Sequence, residues 1–256
     1  MTPGHLMTPG HLLLVAAAGL VAGAVNAVAG GGTLVTFPAL LLVGLPPVVA
    51  NVTSSVGLVT GYAGGSAAYG RELRGQRERV RSLSGVCLAG AAVGAVLVLV
   101  TPASAFRAVV PYLVLLSCAL LAGQPLLARL LARHRPGADL RLPLQVGVGL
   151  GAVYGTYFGA GLGVLLLALL GTLLPDDLQR LNALKGVLSL LVNVVGAGVF
   201  LFSGRVAWQA AAVLAVTAPL GASVGVGIAR RLPGSVLRAA VVLLGVVVGI
   251  VLLVTG

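Results

Sequence analysis

The chain predicts an all-α polytopic membrane protein made of two inverted five-segment repeats, with broken or re-entrant helices at mid-membrane and eight to ten apolar segments. Three observations predict it. Of 256 residues, 59% are hydrophobic and only 8% charged, and the mean hydropathy is +1.12, far from a soluble domain. Two stretches match without a gap at a constant offset of 131 residues: Gly30 and Gly32 fall on Gly161 and Gly163, Asn51 on Asn182, Gly65 on Gly196, and Arg74 on Arg205. The basic residues, finally, divide very unevenly among the loops.

A hydrocarbon core of about 30 Å asks for about 20 apolar residues per helical span. Residues 1–11 form an N-terminal tail, and Met-Thr-Pro-Gly-His-Leu occurs twice in succession over 1–12, a duplicated start with Met7 as the expected true beginning. The first repeat covers 12–131. Its apolar stretch 12–29 ends in "AGGGT" (29–33), the short stretch 34–43 follows, and long spans lie at 48–69, 82–101 and 109–131. A linker at 132–141 leads to the second repeat, 142–256. There 142–158 ends in "GAGLG" (159–163), 162–174 is short, and 178–202, 206–229 and 236–254 are long. Abundant Gly and Ala suit close helix packing in lipid, within one copy or between copies of a homo-oligomer.

Orientation follows from the arginines. Arg71, Arg74, Arg77, Arg79 and Arg81 crowd one loop, and Arg129, Arg133, Arg135 and Arg141 another; Arg230, Arg231 and Arg238 flank a third. The positive-inside rule puts these loops in the cytoplasm, with Arg180 and Lys185 on the same side and only Arg107 and Arg205 outside. Both termini then emerge outside a cell inner membrane. Five segments per half is an odd number, so the halves run in opposite directions. Arg74 inside and Arg205 outside, equivalent by the offset, say the same independently.

The short stretch 33–43 reaches roughly 16 Å as helix, about half of the core. It is either a tilted short span or one arm of a hairpin whose tip stops near mid-membrane. Backbone at that depth survives only inside protein or beside a water-filled cavity. Both glycine-rich tips therefore predict a cavity.

The chemistry left for that cavity favours an anion. Glu72, Glu78, Asp139, Asp176 and Asp177 lie in loops or at helix ends, as do all three histidines. The membrane interior thus offers backbone N–H groups at helix breaks, hydroxyls, amides and one ammonium. That ammonium is Lys185, the only lysine, about seven residues into a helix opened by "PDD", where Asp176 or Asp177 is placed to cap the first turn. It either contacts an anion at the inner mouth or snorkels to the interface. Its equivalent is Ser54, in the cluster Asn51, Thr53, Ser54 and Ser55, which either binds cargo or knits helices. Thr60 and Tyr62, against Ser189 and Asn193, are placed to reach the midplane; Tyr62 and Asn193 are equivalent. Pro38 and Pro111 stand where they would shape the cavity.

No nucleophile–base set, metal-ligand spacing or phosphate loop appears, and Cys87 and Cys118 sit in apolar spans without histidine partners. An enzyme, a cofactor and a metal site are not expected. The Arg71–Arg81 loop reads as a topology determinant in contact with lipid headgroups rather than a nucleic-acid site.

The stretch "GLVAGAVNAVAGGGTLVTFPALLLVGLPPVVANVTSS", followed by "YGRELRG", resembles the first repeat of the sulfite exporter TauE/SafE family of membrane transporters, and "RLNALKGVLSLLVNVVGAGVFLFSGRVAW" resembles the second. The resemblance covers nearly the whole chain from Leu12. It implies an inner-membrane permease for small sulfur-containing oxyanions such as sulfite, sulfonates or sulfoacetate. The substrate region it implies comprises Asn26, Gly30, Gly31, Gly32, Thr33, Asn51, Thr53, Ser54, Gly159, Gly161, Gly163, Asn182, Lys185 and Asn193, to which position adds Tyr62 and Ser189. The second break departs from the first: its glycines are less dense, separated by Ala160 and Leu162, and Val164 stands in place of Thr33. The expected activity is secondary transport by alternating access around a midplane site, with a proton carried on the substrate itself or the anion leaving down the membrane potential. A cation or metal transporter and a non-transporting membrane scaffold are the alternatives.

Overall fold

The computed structural model describes residues 7–28, 30–133, 141–229 and 234–255. Residues 1–6 of the repeated hexapeptide, Ala29 of the first break, Arg135 and Asp139 of the linker, and Arg230 and Arg231 lie outside them. The described residues form ten helices and no strand: α1 (Pro9–Val28), α2 (Thr33–Leu42), α3 (Pro47–Ala68), α4 (Arg77–Val100), α5 (Ala103–Arg133), α6 (Arg141–Tyr157), α7 (Leu162–Leu173), α8 (Leu178–Leu201), α9 (Trp208–Ala229) and α10 (Gly234–Thr255).

Both short stretches stand as helices of their own. At 10 and 12 residues, α2 and α7 reach about 15 and 18 Å, roughly half of a hydrocarbon core. Among the described residues, four helices are long and apolar enough to cross a membrane, in the windows Pro9–Asn26, Arg77–Val100, Ala103–Leu126 and Leu178–Leu201. α3 has the length, 22 residues, but its Asn, Thr and Ser residues lower its hydropathy. α4 starts at Arg77, ahead of the apolar run at Ser82, because Arg and Glu are good helix formers and favour the polar interface. α5 passes through Pro111 and Pro125 without ending.

Lipid tails are as apolar as leucine, so helices in a bilayer associate through close packing rather than hydrophobic burial. Here glycines bring backbones into contact. A Cβ on Gly23 of α1 would sit 1.9 Å from the Ala218 carbonyl oxygen of α9, and one on Gly90 of α4 would sit 2.3 Å from the Gly149 oxygen of α6. α1 packs along α9 as α6 packs along α4; α3 contacts α9 as α8 contacts α4. α2 rests on α1, α3 and α10, and α7 on α6, α8 and α5. α3 also meets α8, and α5 meets α10. Replacing each helix by the one five places along leaves all these pairings unchanged.

The two breaks share a local geometry. Gly30 and Gly161, equivalent by the 131 offset, have φ of 75° and 77°, a left-handed conformation open essentially to glycine. α1 and α6 each finish with an i to i−5 bond, Gly30 N–H to Val25 O at 3.1 Å and Gly159 N–H to Tyr154 O at 3.2 Å. Neither α2 nor α7 has a side-chain cap, whereas Asp177 caps α8 by accepting the Gln179 N–H at 2.9 Å.

Candidate functional site

The breaks meet each other. A Cβ on Gly30 would lie 3.1 Å from the Cα of Gly163, and one on Gly163 would lie 3.2 Å from the Cα of Gly30 and 3.7 Å from Lys185 Cδ. No side chain fits between them, and the Lys185 stem lies beside the start of α7, where an added Cβ on Gly163 would touch it.

Around this contact lies a cavity of about 50 Å³, enough for a few waters or one small ion. α1 contributes Asn26, α3 contributes Tyr62 and Ser66 and is followed by Tyr69 at its C-cap, and α8 contributes Asn182, Lys185 and Ser189, with Gly30, Gly163 and three further glycines where the backbone lines the wall. The spacing accounts for this. Positions 62, 66 and 69 share one helix face, as do 182, 185, 189 and 193. The Tyr62 hydroxyl lies beside Asn26, Asn193 and Thr33 at the deep end.

The lining is rich in donors that lack protein partners. Asn26 Oδ1 accepts the Gly32 N–H at 3.0 Å, which assigns the amide so that Nδ2 remains as a free donor. Ser66 Oγ and Ser189 Oγ are also buried and unpaired. No carboxylate lines the cavity among the described residues. Buried donors without acceptors cost about 1–3 kcal/mol each, and Lys185 adds a positive charge beside them, so a negatively charged occupant would offset several at once.

At the arginine-rich end, Asn182 Nδ2 donates to the Tyr69 hydroxyl at 3.2 Å, a single side-chain bond across the mouth. The neighbouring corner is tied firmly. Asp176 accepts from Arg79 and from Arg180 Nε, the latter at 3.0 Å, and Arg180 also donates to the Arg74 carbonyl at 3.2 Å. Gln76 Nε2 donates to the Arg180 carbonyl at 2.9 Å. Burial would raise the Asp176 pKa, but the hydrogen bonds from Arg79, the Asp177 N–H and Arg180 outweigh it and hold the carboxyl below its ordinary range.

The opposite end is closed by several layers. Asn51, fully buried, donates from Nδ2 to the Tyr157 carbonyl at 2.9 Å. The hydroxyls of Thr36 and Ser54 bond at 2.6 Å, and Thr53 Oγ1 accepts the Ala207 N–H at 3.0 Å. The rings of Phe37 and Phe158 meet edge to face with centroids 5.3 Å apart.

Of the residues singled out from sequence, the structure gathers Asn26, Gly30, Tyr62, Gly163, Asn182, Lys185 and Ser189 around one cavity, with Thr33 and Asn193 touching its deep end. It keeps Asn51, Thr53 and Ser54 apart, at the closed end. Gly31 packs against Leu121, Gly159 against the Gly155 carbonyl and Gly161 near Ser117. Thr60 donates to the Ala215 carbonyl at 2.7 Å and joins α3 to α9, and neither Pro38 nor Pro111 lines the cavity. Ser66 and Tyr69 were missed, although their spacing from Tyr62 is the signal that places them.

Residues 15–252 match the family model described as "Sulfite exporter TauE/SafE". The chain is 28% identical to a probable membrane transporter protein, ORF9, of Sinorhizobium sp over 236 residues, covering 92% of this chain and 90% of that one. It is 28% identical to a probable membrane transporter protein of Haemophilus influenzae over 229 residues, 88% of each. It is also 28% identical to the probable membrane transporter protein YfcA of Escherichia coli strain K12 over 212 residues, 80% of this chain and 76% of that one. No solved structure matches it. With a family match from end to end of the helical body, the protein belongs to the sulfite exporter TauE/SafE family of membrane transporters.

Proposed function

We propose that the protein is a secondary transporter of the cell inner membrane that carries a small sulfur-containing oxyanion, such as sulfite, a sulfonate or sulfoacetate, by alternating access. One observation carries the reading: Lys185 shares a cavity with the unpaired donors Asn26 Nδ2, Ser66 Oγ and Ser189 Oγ, and no carboxylate among the described residues faces them. An oxyanion supplies several acceptor oxygens and a compensating charge in one small body. The Asn26 amide, set by the first break, and Lys185, resting on the second, let both halves hold the same anion.

The two halves act as inverted repeats. Supporting this are the 131-residue offset, the matched left-handed glycines Gly30 and Gly161, and helix pairings that survive a five-place shift. In this reading α2 and α7 are half-length helices whose uncapped starts face mid-membrane, and the arginine-rich end is cytoplasmic. The conformation described is then near inward-facing: a thin Asn182–Tyr69 contact on the inside, a thick closure at Asn51, Thr36–Ser54 and Phe37–Phe158 on the outside. Exchange of the two closures, one half rocking on the other, would carry the anion across.

Thermal shifts of the purified protein with sulfite, thiosulfate, sulfoacetate, taurine and metal salts test the substrate class. Stabilisation by one or more of the anions is expected. Stabilisation by Co²⁺ or Ni²⁺ alone would overturn it in favour of a cation transporter. In proteoliposomes, transport that depends on an imposed pH gradient would assign coupling to a proton carried with the anion.

A further inference from the structure

We infer that the backbone N–H of Gly163, at the start of α7, donates to the transported anion, and that its counterpart in the first break does not. This rests on the reading of the cavity as an anion site and adds a contact to it. N–H groups in the first turn of a helix have no partner inside the helix and point out of its N-terminus. In the second break the Leu162 N–H bonds the Gly159 carbonyl at 3.2 Å and the Val164 N–H bonds the Gly161 carbonyl at 3.0 Å. The Gly163 N–H between them meets no acceptor among the described residues. Gly163 also stands on the cavity wall, with Lys185 and Ser189.

The matching amide in the first break is taken. Gly32, 131 residues before Gly163, gives its N–H to Asn26 Oδ1 at 3.0 Å. Gly30, the first-break residue on the cavity wall, has its N–H on the Val25 carbonyl at 3.1 Å. The second break lacks such a cap because Tyr157 stands at the position equivalent to Asn26. The Tyr157 ring packs on Phe106 with centroids 5.7 Å apart, and its hydroxyl reaches Thr101 at 3.5 Å. A phenol held elsewhere in place of an amide leaves the Gly163 N–H uncovered.

The surrounding side chains point to a ligand independently of the helix start. Ser189 is 2% exposed and Ser66 8%, neither hydroxyl has a partner, and both residues line this cavity. An oxyanion beside Gly163 would supply acceptors to the amide and the hydroxyls together, next to the Lys185 charge. The turn is also fixed before any anion arrives. The Ala160 carbonyl accepts from Ser117 Oγ at 2.9 Å and from the Tyr154 hydroxyl at 2.6 Å, which ties the break to α5 and α6. A donor fixed in advance loses little freedom on binding.

Sulfite binding to the full-length protein in detergent tests this. Glycolic acid at position 163 replaces the Leu162–Gly163 amide by an ester, deleting one N–H and adding no side chain. Affinity should fall about tenfold or more. The same change at the Gly31–Gly32 amide deletes an N–H already bonded to Asn26 and should weaken binding distinctly less. A second readout uses the unmodified backbone. Leucine labelled with ¹³C at the carbonyl, together with ¹⁵N-glycine, selects the five Leu–Gly peptides of the chain, and only 162–163 has its glycine on the cavity wall. Leu162→Met assigns that signal by removing it. Sulfite is expected to shift this amide proton downfield and to leave the other Leu–Gly amides in place. No sulfite binding by the wild type would remove the anion site and this contact together. Sulfite binding with an unmoved Gly163 amide, or equal losses in the two esters, would overturn this inference and leave the anion site standing.

Discussion

The hydroxyl of Tyr62 on α3 lies beside the side-chain amide of Asn193 on α8, and the two positions are equivalents under the 131-residue offset. In the proposed inverted-repeat arrangement, a residue that meets its own counterpart sits near the axis relating the two halves. Asn193 Nδ2 donates to the Ser189 carbonyl at 2.8 Å, so Oδ1 is not used in that bond. This pair therefore forms the deep end of the cavity, where cargo would pass between the halves.

Tyr62→Phe keeps the ring and removes the hydroxyl. A neutral hydrogen bond is worth about 1 kcal/mol, so anion affinity should fall about fivefold while the melting temperature changes little. Titration calorimetry with sulfite checks it.

Closure at the Asn51 end predicts a protected site. A cysteine at Ser54, a fully buried position, should resist a membrane-impermeant thiol reagent applied from outside. The edge-to-face pair Phe37–Phe158 adds about 1 kcal/mol beyond buried area, so Phe158→Ala in the same background should raise the labelling rate at least about fivefold. Identical labelling rates with and without Phe158 would show that the ring does not hold this end shut.

Gly30→Ala should destabilise by about 1–2 kcal/mol from the left-handed φ of 75° alone, and more because its Cβ would meet the Gly163 Cα at 3.1 Å. Gly64→Ala, with open space around the new Cβ and right-handed helical backbone, should be neutral or slightly stabilising. Comparing melting temperatures of the two variants separates the break from ordinary helix glycine.

The Asp176 corner gives a pH dependence. Its carboxyl titrates below the ordinary range when folded, so its stabilisation is present above the unfolded value near 3.8 and is lost as pH falls through the lower folded value. Asp176→Asn should cost about 1 kcal/mol at pH 7, discounted because Arg79 and Arg180 are about a third exposed, and the difference from wild type should shrink as pH falls below 3.8. Denaturation midpoints of wild type and variant at several pH values check it.

Much of this architecture was legible in the chain. Length, apolarity and glycine placement marked eight to ten apolar segments, and the described residues form ten helices at those places, because a span of fixed thickness leaves few solutions. The short helices α2 and α7 followed from the breaks before them. Lys185 and Tyr62 were legible because an ammonium and a phenol stand out in so apolar a chain. Which polar residues share a space was not. Asn51 and Lys185 are counted together in the expected substrate region, yet Asn51 is bonded to the Tyr157 carbonyl and only Lys185 lines the cavity. The Phe37–Phe158 closure was invisible because it joins residues 121 apart, on segments whose relative rotation no local pattern encodes.

The central claim is that Lys185 and its neighbouring donors hold a negatively charged solute. Sulfite binding to purified wild type, Lys185→Ala and Lys185→Arg, measured by calorimetry in detergent, tests it most directly. A charge-assisted hydrogen bond is worth about 1.5–3 kcal/mol, so Lys185→Ala should weaken binding about ten- to hundredfold and Lys185→Arg should recover part of it. Unchanged affinity in Lys185→Ala, with the protein folded, would contradict the claim and leave Lys185 as an interfacial anchor.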